Sequence, residues 1–215
     1  MKFAIILAGC GVYDGAEIHE SVLTMLSAER NGVEYDLFAP DKEQYHVINH
    51  LTGEPSDERR NVLTEAARIA RGNIAPLTEY SAAAYDAVIL PGGFGVAKNL
   101  CTYAVDGTSM TIDDNISRLI TETHKAGKPI GALCISPVII ASLIPGVEVT
   151  LGSDDSHNKD VDELGGRNIT TGNRDIVVDS EKRVVSTPCY MNDASLIDVA
   201  EGADALIKAV AELAG

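Results

Sequence analysis

The sequence predicts an α/β domain built on a doubly wound, mainly parallel sheet. Three observations predict it. Short apolar runs of strand length alternate with longer segments of helical periodicity, the pattern that lays helices over both faces of a parallel sheet. The runs close on Pro or Gly turn signals, as at Ala39-Pro40 and Pro91-Gly92-Gly93. No linker, repeat or low-complexity tract interrupts residues 1–215, so they are expected to form a single domain. At 45% hydrophobic residues that length supports a large core, which is aliphatic because Trp is absent and only three Phe occur.

Taken in order, Phe3–Ala8 reads as a buried strand. Ala16–Arg30 follows as a helix that turns Ile18, Val22, Met25 and Leu26 toward the core. Val33–Phe38 is the second strand and Asp41–Ser56 a polar loop. Asp57–Arg71 has helical spacing at Val62, Ala66 and Ile69. Ala87–Leu90 is a strand stopped by the two-glycine turn. Asp113–Lys125 is a helix capped by Asp113 or Asp114 and ended by Gly127. Pro129–Leu133 is the next strand, with a helix from Ser136, and Glu148–Leu151 is a short extended piece. Ile176–Asp179 and Arg183–Ser186 flank Ser180-Glu181-Lys182 as a hairpin, and the last helix spans about Asn192–Ala214.

The formal charge of −15 argues against binding a nucleic-acid backbone or an anionic membrane surface. No apolar run reaches the ~18 residues of a membrane span. The longest, Ile135–Val147, contains two Pro and two Ser. Leu7-Ala-Gly-Cys10 has the look of a lipoprotein cleavage box, but the preceding Phe3–Ala8 is shorter than a signal h-region, so no lipid anchor is expected. The four cysteines, Cys10, Cys101, Cys134 and Cys189, match no zinc or haem spacing. They read as reduced thiols, which gives the expectation of a cytoplasmic protein.

In such sheets ligands bind beyond the carboxyl ends of the strands. Five segments fall there: Gly9–Gly15, Asp41–Gly53, Pro91–Gly95, Cys134–Pro137 and Thr187–Met191. Cys134 ends a strand and precedes a helix, a turn that lifts the sulfur from the sheet and aims a helix N-terminus at it, favouring thiolate. On this segment alone, a buried core thiol is an equal reading. Asp14-Gly-Ala-Glu17 reads as a capping box with Asp14 as N-cap, which leaves Glu20 without a capping job. Glu20 is then either a solvated surface carboxylate or a proton-sharing partner of the thiol, its pKa raised by burial beside an anion. The N–H groups of Gly93 and Ile135 together suit an oxyanion hole. Of the histidines, only His157 has a plausible route to Cys134, and no cluster has metal-ligand spacing.

Together these segments resemble the ElbB family, within the PfpI and class I glutamine-amidotransferase-like superfamily. The resemblance is carried by Gly9-Cys-Gly-Val-Tyr-Asp-Gly15, Glu17-Ile-His-Glu20, Phe38-Ala-Pro-Asp-Lys42 and Val47–Gly53, and continues through Glu58–Val62, Pro91–Gly95, Ala97–Leu100 and Ser186–Met191. It implies a flavodoxin-like sheet, Cys134 at a nucleophile elbow with Glu20 as its carboxyl partner, and often a homodimer. It also implies a glyoxalase that converts glyoxal to glycolate without glutathione, metal or other cofactor, a protein deglycase activity being the proposed variant. The amidotransferase His-x-Glu pair is missing: Ser186-Thr-Pro-Cys-Tyr190 stands in that region, and Ile135 follows the nucleophile where many PfpI-like members place His. A glutaminase or peptidase triad is therefore not expected.

The reading that follows is a small-aldehyde enzyme. Cys134 and Glu20 are catalytic, Gly93 and Ile135 hold the oxyanion, and Glu17, His157, Cys10 and Cys189 are auxiliary candidates. Glu20 would move a proton between carbon and oxygen through an enediol-like intermediate. The alternatives are a redox sensor using the strand-end thiols, and a noncatalytic metabolite- or partner-binding protein linked to isoprenoid metabolism.

Overall fold

A computed structural model describes the backbone of residues 1–215 and every side chain except those at 155 and 156. The elements run β1 (Lys2–Ile6), α1 (Ile18–Arg30), β2 (Glu34–Ala39), β3 (Val47–Ile48), β4 (Pro55–Ser56), α2 (Val62–Ile69), β5 (Ala75–Pro76) and β6 (Ala87–Leu90). They continue with α3 (Tyr103–Asp106), α4 (Asp114–Lys125), β7 (Ile130–Leu133), α5 (Pro137–Leu143), β8 (Glu148–Val149), α6 (Asp155–Glu163), β9 (Arg167–Asn168), β10 (Val177–Asp179), β11 (Val184–Thr187) and α7 (Leu196–Ala214).

Seven strands form the central sheet in the order β10-β11-β7-β6-β1-β2-β5. All pairs are parallel except the β10–β11 hairpin. The inner strands β6 and β7 are buried at every residue, as strands covered on both faces must be. Helices α1 and α7 pack together, with α7 against β6, β7 and β11, while α4 and α5 pack on each other and on β7. The doubly wound parallel architecture is therefore the one the alternation predicts.

Local chemistry fixes the helix starts, and it corrects several expectations. Asp113 caps α4 by accepting from Asn115 N–H at 3.0 Å. α7 carries a full capping box between Ser195 and Asp198. At α1 the cap is Glu17, not Asp14: the Glu17 carboxylate accepts the Glu20 N–H at 2.7 Å. Asp14 is drawn away because its buried carboxylate accepts the Ile48 N–H at 2.7 Å, pinning the following hairpin onto the β1 loop. That hairpin, β3–β4, lies inside the segment expected to be an irregular loop. α2 starts five residues later than its periodicity suggests, because Asn61 caps it through the Thr64 N–H at 3.0 Å.

The larger correction concerns α1. Ile18, Val22 and Leu26 face solvent at 42%, 44% and 37% exposure, and Met25 is only partly buried. The buried stripe is Glu20, Ser21, Thr24, Ser27 and Ala28, at perfect helical spacing but polar or small throughout.

Candidate active site

The strand order reverses between β1 and β6, the switch point at which an open parallel sheet leaves a crevice. Here the two loops at that point interlock. Gly95 N–H donates to Gly15 O at 2.8 Å, Phe94 N–H to Val12 O at 2.8 Å, and Glu17 N–H to Gly92 O at 2.9 Å. The buried Asn99 amide bridges Ala8 O and Asp14 O, at 3.0 Å each. The glycines are required by this approach. A Cβ on Gly93 would meet Glu17 N at 2.4 Å, and Gly93 holds φ at +102°.

Cys134 stands one strand over, at the end of β7, with φ at +56°. A non-glycine residue in this region is strained, and such strain marks turns that present a nucleophile. Two bonds hold the turn: Cys134 N–H donates to Thr187 O at 3.0 Å, and the buried Ser136 hydroxyl donates to Pro91 O at 2.8 Å. Ser136 thereby ties the elbow to the glycine turn.

Glu20 reaches Cys134 from α1, close enough for the carboxyl and the thiol to shift each other's protonation. It is fully buried, which removes the surface-carboxylate reading. Gly92 N–H donates to its Oε2 at 2.9 Å and Tyr190 N–H to its Oε1 at 3.4 Å. Gly92 has no room for any side chain: a Cβ there would sit 2.4 Å from Cys134 Cβ and 2.7 Å from Glu20 Oε2.

Burial first, and then the neighbouring Glu17 carboxylate, push Glu20 up to about 8, so its carboxyl holds a proton at neutral pH. Burial, followed by the Glu20 charge, also pushes the Cys134 thiol well up. The expectation of a helix end favouring thiolate is thus overridden, since α5 is short and Cys134 is only 7% exposed. What favours the anion is local: the backbone N–H groups of Gly93 and Ile135, beside the thiol, act to lower it. The pair is a buried acid and a buried thiol, with two backbone N–H donors beside the sulfur.

A cavity of about 420 Å³ opens above the sulfur. Glu17, Cys134, Gly93, Ile135 and His157 line it, with apolar walls from Val12, Phe94, Ala97 and Met191. Among the auxiliary candidates, Glu17 and His157 therefore belong to the cavity. Cys189 is buried beside Cys134, its thiol raised by burial and then by the Glu20 charge. Cys10 lies elsewhere, half-buried within reach of Glu65, Arg68 and Asp14, and does not line the cavity. Sequence reasoning missed Tyr103, Asp160 and Tyr190. All three line the cavity; Tyr103 and Asp160 come from the short helices α3 and α6, and no periodicity or motif in the chain marks those two.

No protein-family model matches the sequence. The Rattus norvegicus ES1 protein homolog, mitochondrial, is 46% identical, over 100% of this chain and 84% of its own length. The Homo sapiens glutamine amidotransferase-like class 1 domain-containing protein 3, mitochondrial, is 44% identical over the same shares. Among solved structures, the isoprenoid biosynthesis protein with amidotransferase-like domain from Ehrlichia chaffeensis superposes with a TM-score of 0.93 at 38% identity, covering 99% of each chain. Glyoxalase III from Candida albicans shares the fold, with a TM-score of 0.63 at 14% identity over 97% of each chain. The relatives' names overturn the expectation of a cytoplasmic location, since both, and the Danio rerio ES1 protein, are called mitochondrial. Cysteines without disulfides do not specify a compartment.

Proposed function

The chain belongs to the ElbB/ES1 family of glutamine amidotransferase-like class 1 proteins, and on that premise we propose that it is a cofactor-independent glyoxalase. The observation that carries the reading is the pairing of Cys134 with the buried, neutral Glu20, the N–H groups of Gly93 and Ile135 beside the same sulfur. No histidine hydrogen-bonds this thiol among the described residues, so amide hydrolysis lacks its usual base. An α-dicarbonyl needs less. Its carbonyl is already electrophilic, and its rearrangement is a proton shift between adjacent carbons.

The steps balance without a redox partner. With one proton lost from the pair, the Cys134 thiolate adds to one aldehyde of glyoxal while Glu20 passes its carboxyl proton to the new alkoxide, giving a hemithioacetal and leaving Glu20 as carboxylate. The Gly93 and Ile135 N–H groups, beside the sulfur, are then released to donate to the alkoxide that forms one carbon away. Glu20, now a carboxylate through that transfer, removes the C–H proton on the carbon bonded to sulfur, one bond from the atom beside it. The enediol so formed takes that proton back on the second carbon, leaving a hydroxyacetyl thioester. Water hydrolyses the thioester to glycolate and restores the thiol. The redox-sensor alternative calls for an exposed thiol of lowered pKa, and Cys134 has neither property.

The test is glycolate release from glyoxal, followed by NMR with the full chain and no added thiol or metal. Wild type is expected to turn over, and Cys134→Ser to lose at least about 10³-fold in kcat/KM. Comparable glycolate formation by the serine variant overturns the proposal.

A further inference from the structure

Building on the glyoxalase reading, we propose that the cavity is shaped for an α-oxoaldehyde larger than glyoxal, with an apolar arm ending in a cation, which the Tyr103–Asp160 pair receives. Size is the first argument. Glyoxal has four heavy atoms and displaces roughly three waters' worth of volume, on the order of 90 Å³. The cavity above Cys134 is about 420 Å³. The surplus space is walled by Val12, Phe94 and Met191, surface that an aliphatic or aromatic arm desolvates and glyoxal does not.

The second argument is the polar group set into that wall. The Tyr103 hydroxyl donates a very short hydrogen bond to Asp160 Oδ2 and lies 3.4 Å from His157 Nδ1. All three line the same cavity as the sulfur, and the chemistry at Cys134 uses none of them. Burial and the Asp160 carboxylate hold the Tyr103 phenol protonated, so it stays a donor to the carboxylate and does not compete with an incoming cation as a charge.

Sign is the third argument. The acidic side chains on the cavity wall are Glu17 and Asp160, and no Lys or Arg lines it among the described residues. An oxoaldehyde bearing a carboxylate or phosphate would meet like charge with no counter-ion, whereas an ammonium or guanidinium arm finds a carboxylate in partly desolvated surroundings. The same field opposes retention of the hydroxy-acid product.

The experiment uses two unreactive probes of one shape and opposite charge, benzylammonium and benzoate. Each is tested for slowing iodoacetamide alkylation of Cys134 in the full chain, read by mass spectrometry. Benzylammonium is expected to protect at a concentration at least about tenfold lower than benzoate, a difference of about 1.4 kcal/mol. Asp160→Asn is expected to bring the two within about twofold. In parallel, the ratio of kcat/KM for 4-(aminomethyl)phenylglyoxal over glyoxal is expected to fall about tenfold in Asp160→Asn. Equal protection by the two probes in wild type, or a preference unchanged in the variant, overturns the proposal. Charge-selective protection in a protein that forms no glycolate would instead sink the glyoxalase reading and leave this binding site standing.

Discussion

Helices α1 and α4 cover the same sheet and obey opposite rules. α4 buries Ile116, Leu119, Ile120 and Thr123 and presents charged residues to solvent. Its pattern reads directly from the sequence. α1 buries Glu20, Ser21, Thr24, Ser27 and Ala28 and leaves an apolar stripe outside. The difference follows from what each helix is for. α4 has only a core to close. α1 starts in the strand-end crevice, where Glu17 must cap it and Glu20 must reach Cys134, and its small buried side chains let it pack closely on its neighbours, α7 among them. Local rules of patterning are broken where a site is built, as expected when stability is traded for chemistry.

Breaking the polar face of α1 should therefore change chemistry more than stability. Glu20→Gln keeps the side-chain shape and the bond from Gly92 N–H. It is expected to lower kcat/KM for glyoxal by about 10²–10⁴-fold. The pH dependence is the sharper readout. Glu20 holds its proton up to about 8, so wild-type kcat/KM rises as the pair loses its first proton in that range, and the variant's alkaline limb moves to the thiol alone. Stability runs the other way. Between the ordinary carboxylate range and about 8 the folded state binds the extra proton, so unfolding becomes easier as pH rises through that window. Wild type is expected to lose at least about 1.4 kcal/mol between pH 5 and pH 8, one unit's worth of the shift. The glutamine variant should stay flat in denaturant titrations across that range. A parallel decline in both proteins would contradict a neutral Glu20.

The apolar face of α4 supplies the contrast. Leu119 is fully buried, and Leu119→Ala is expected to cost about 2–5 kcal/mol in chemical denaturation while leaving kcat/KM of the folded fraction within about twofold. A large kinetic effect from this position would mean that the two helices are not separable in the way their packing indicates.

How much of this was legible in the chain follows the same division. The strands β1, β6 and β7 are continuous apolar runs and read correctly, and with them the strand-end placement of Cys134 and the Pro91-Gly92-Gly93 turn. Glu20 was readable as a carboxyl without a cap to make, although the cap itself was assigned to the wrong residue: nothing local reveals that Asp14 is claimed by Ile48, 34 residues on. The orientation of α1 was misread because hydrophobic periodicity assumes that the apolar stripe faces inward, and here tertiary demands reverse it. Tyr103 and Asp160 were invisible. α3 is one turn long, α6 is strongly polar, and the two meet only through the folded chain.

Thr24 offers a smaller test on the same buried stripe. It is fully buried, and its hydroxyl has no hydrogen-bond partner among the described residues. Replacing it with the isosteric Val removes an unpaired polar atom without changing shape. Thr24→Val is expected to raise stability by about 1 kcal/mol, with kcat/KM unchanged. Loss of stability in this variant would mean that the hydroxyl is paired, and that the polar character of the face serves packing as well as chemistry.

The smallest effect is expected on the outer face, where the contrast with α4 is most counterintuitive. By its position in the apolar stripe, Val22 has the look of a core residue, yet it is 44% exposed. Val22→Lys places a charge on that stripe. On a true core face the change would bury an unpaired ammonium and lower stability by several kcal/mol. At this site the ammonium reaches water, the aliphatic stem still covers the flanks of Ile18 and Leu26, and Lys is the better helix former by a few tenths of a kcal/mol. These terms nearly cancel. The expected change is within about 0.5 kcal/mol, read as a shift of no more than a few degrees in Tm by circular dichroism. A loss above about 2 kcal/mol would place Val22 inside an apolar contact and make α1 a helix buried on both faces, not an inverted one.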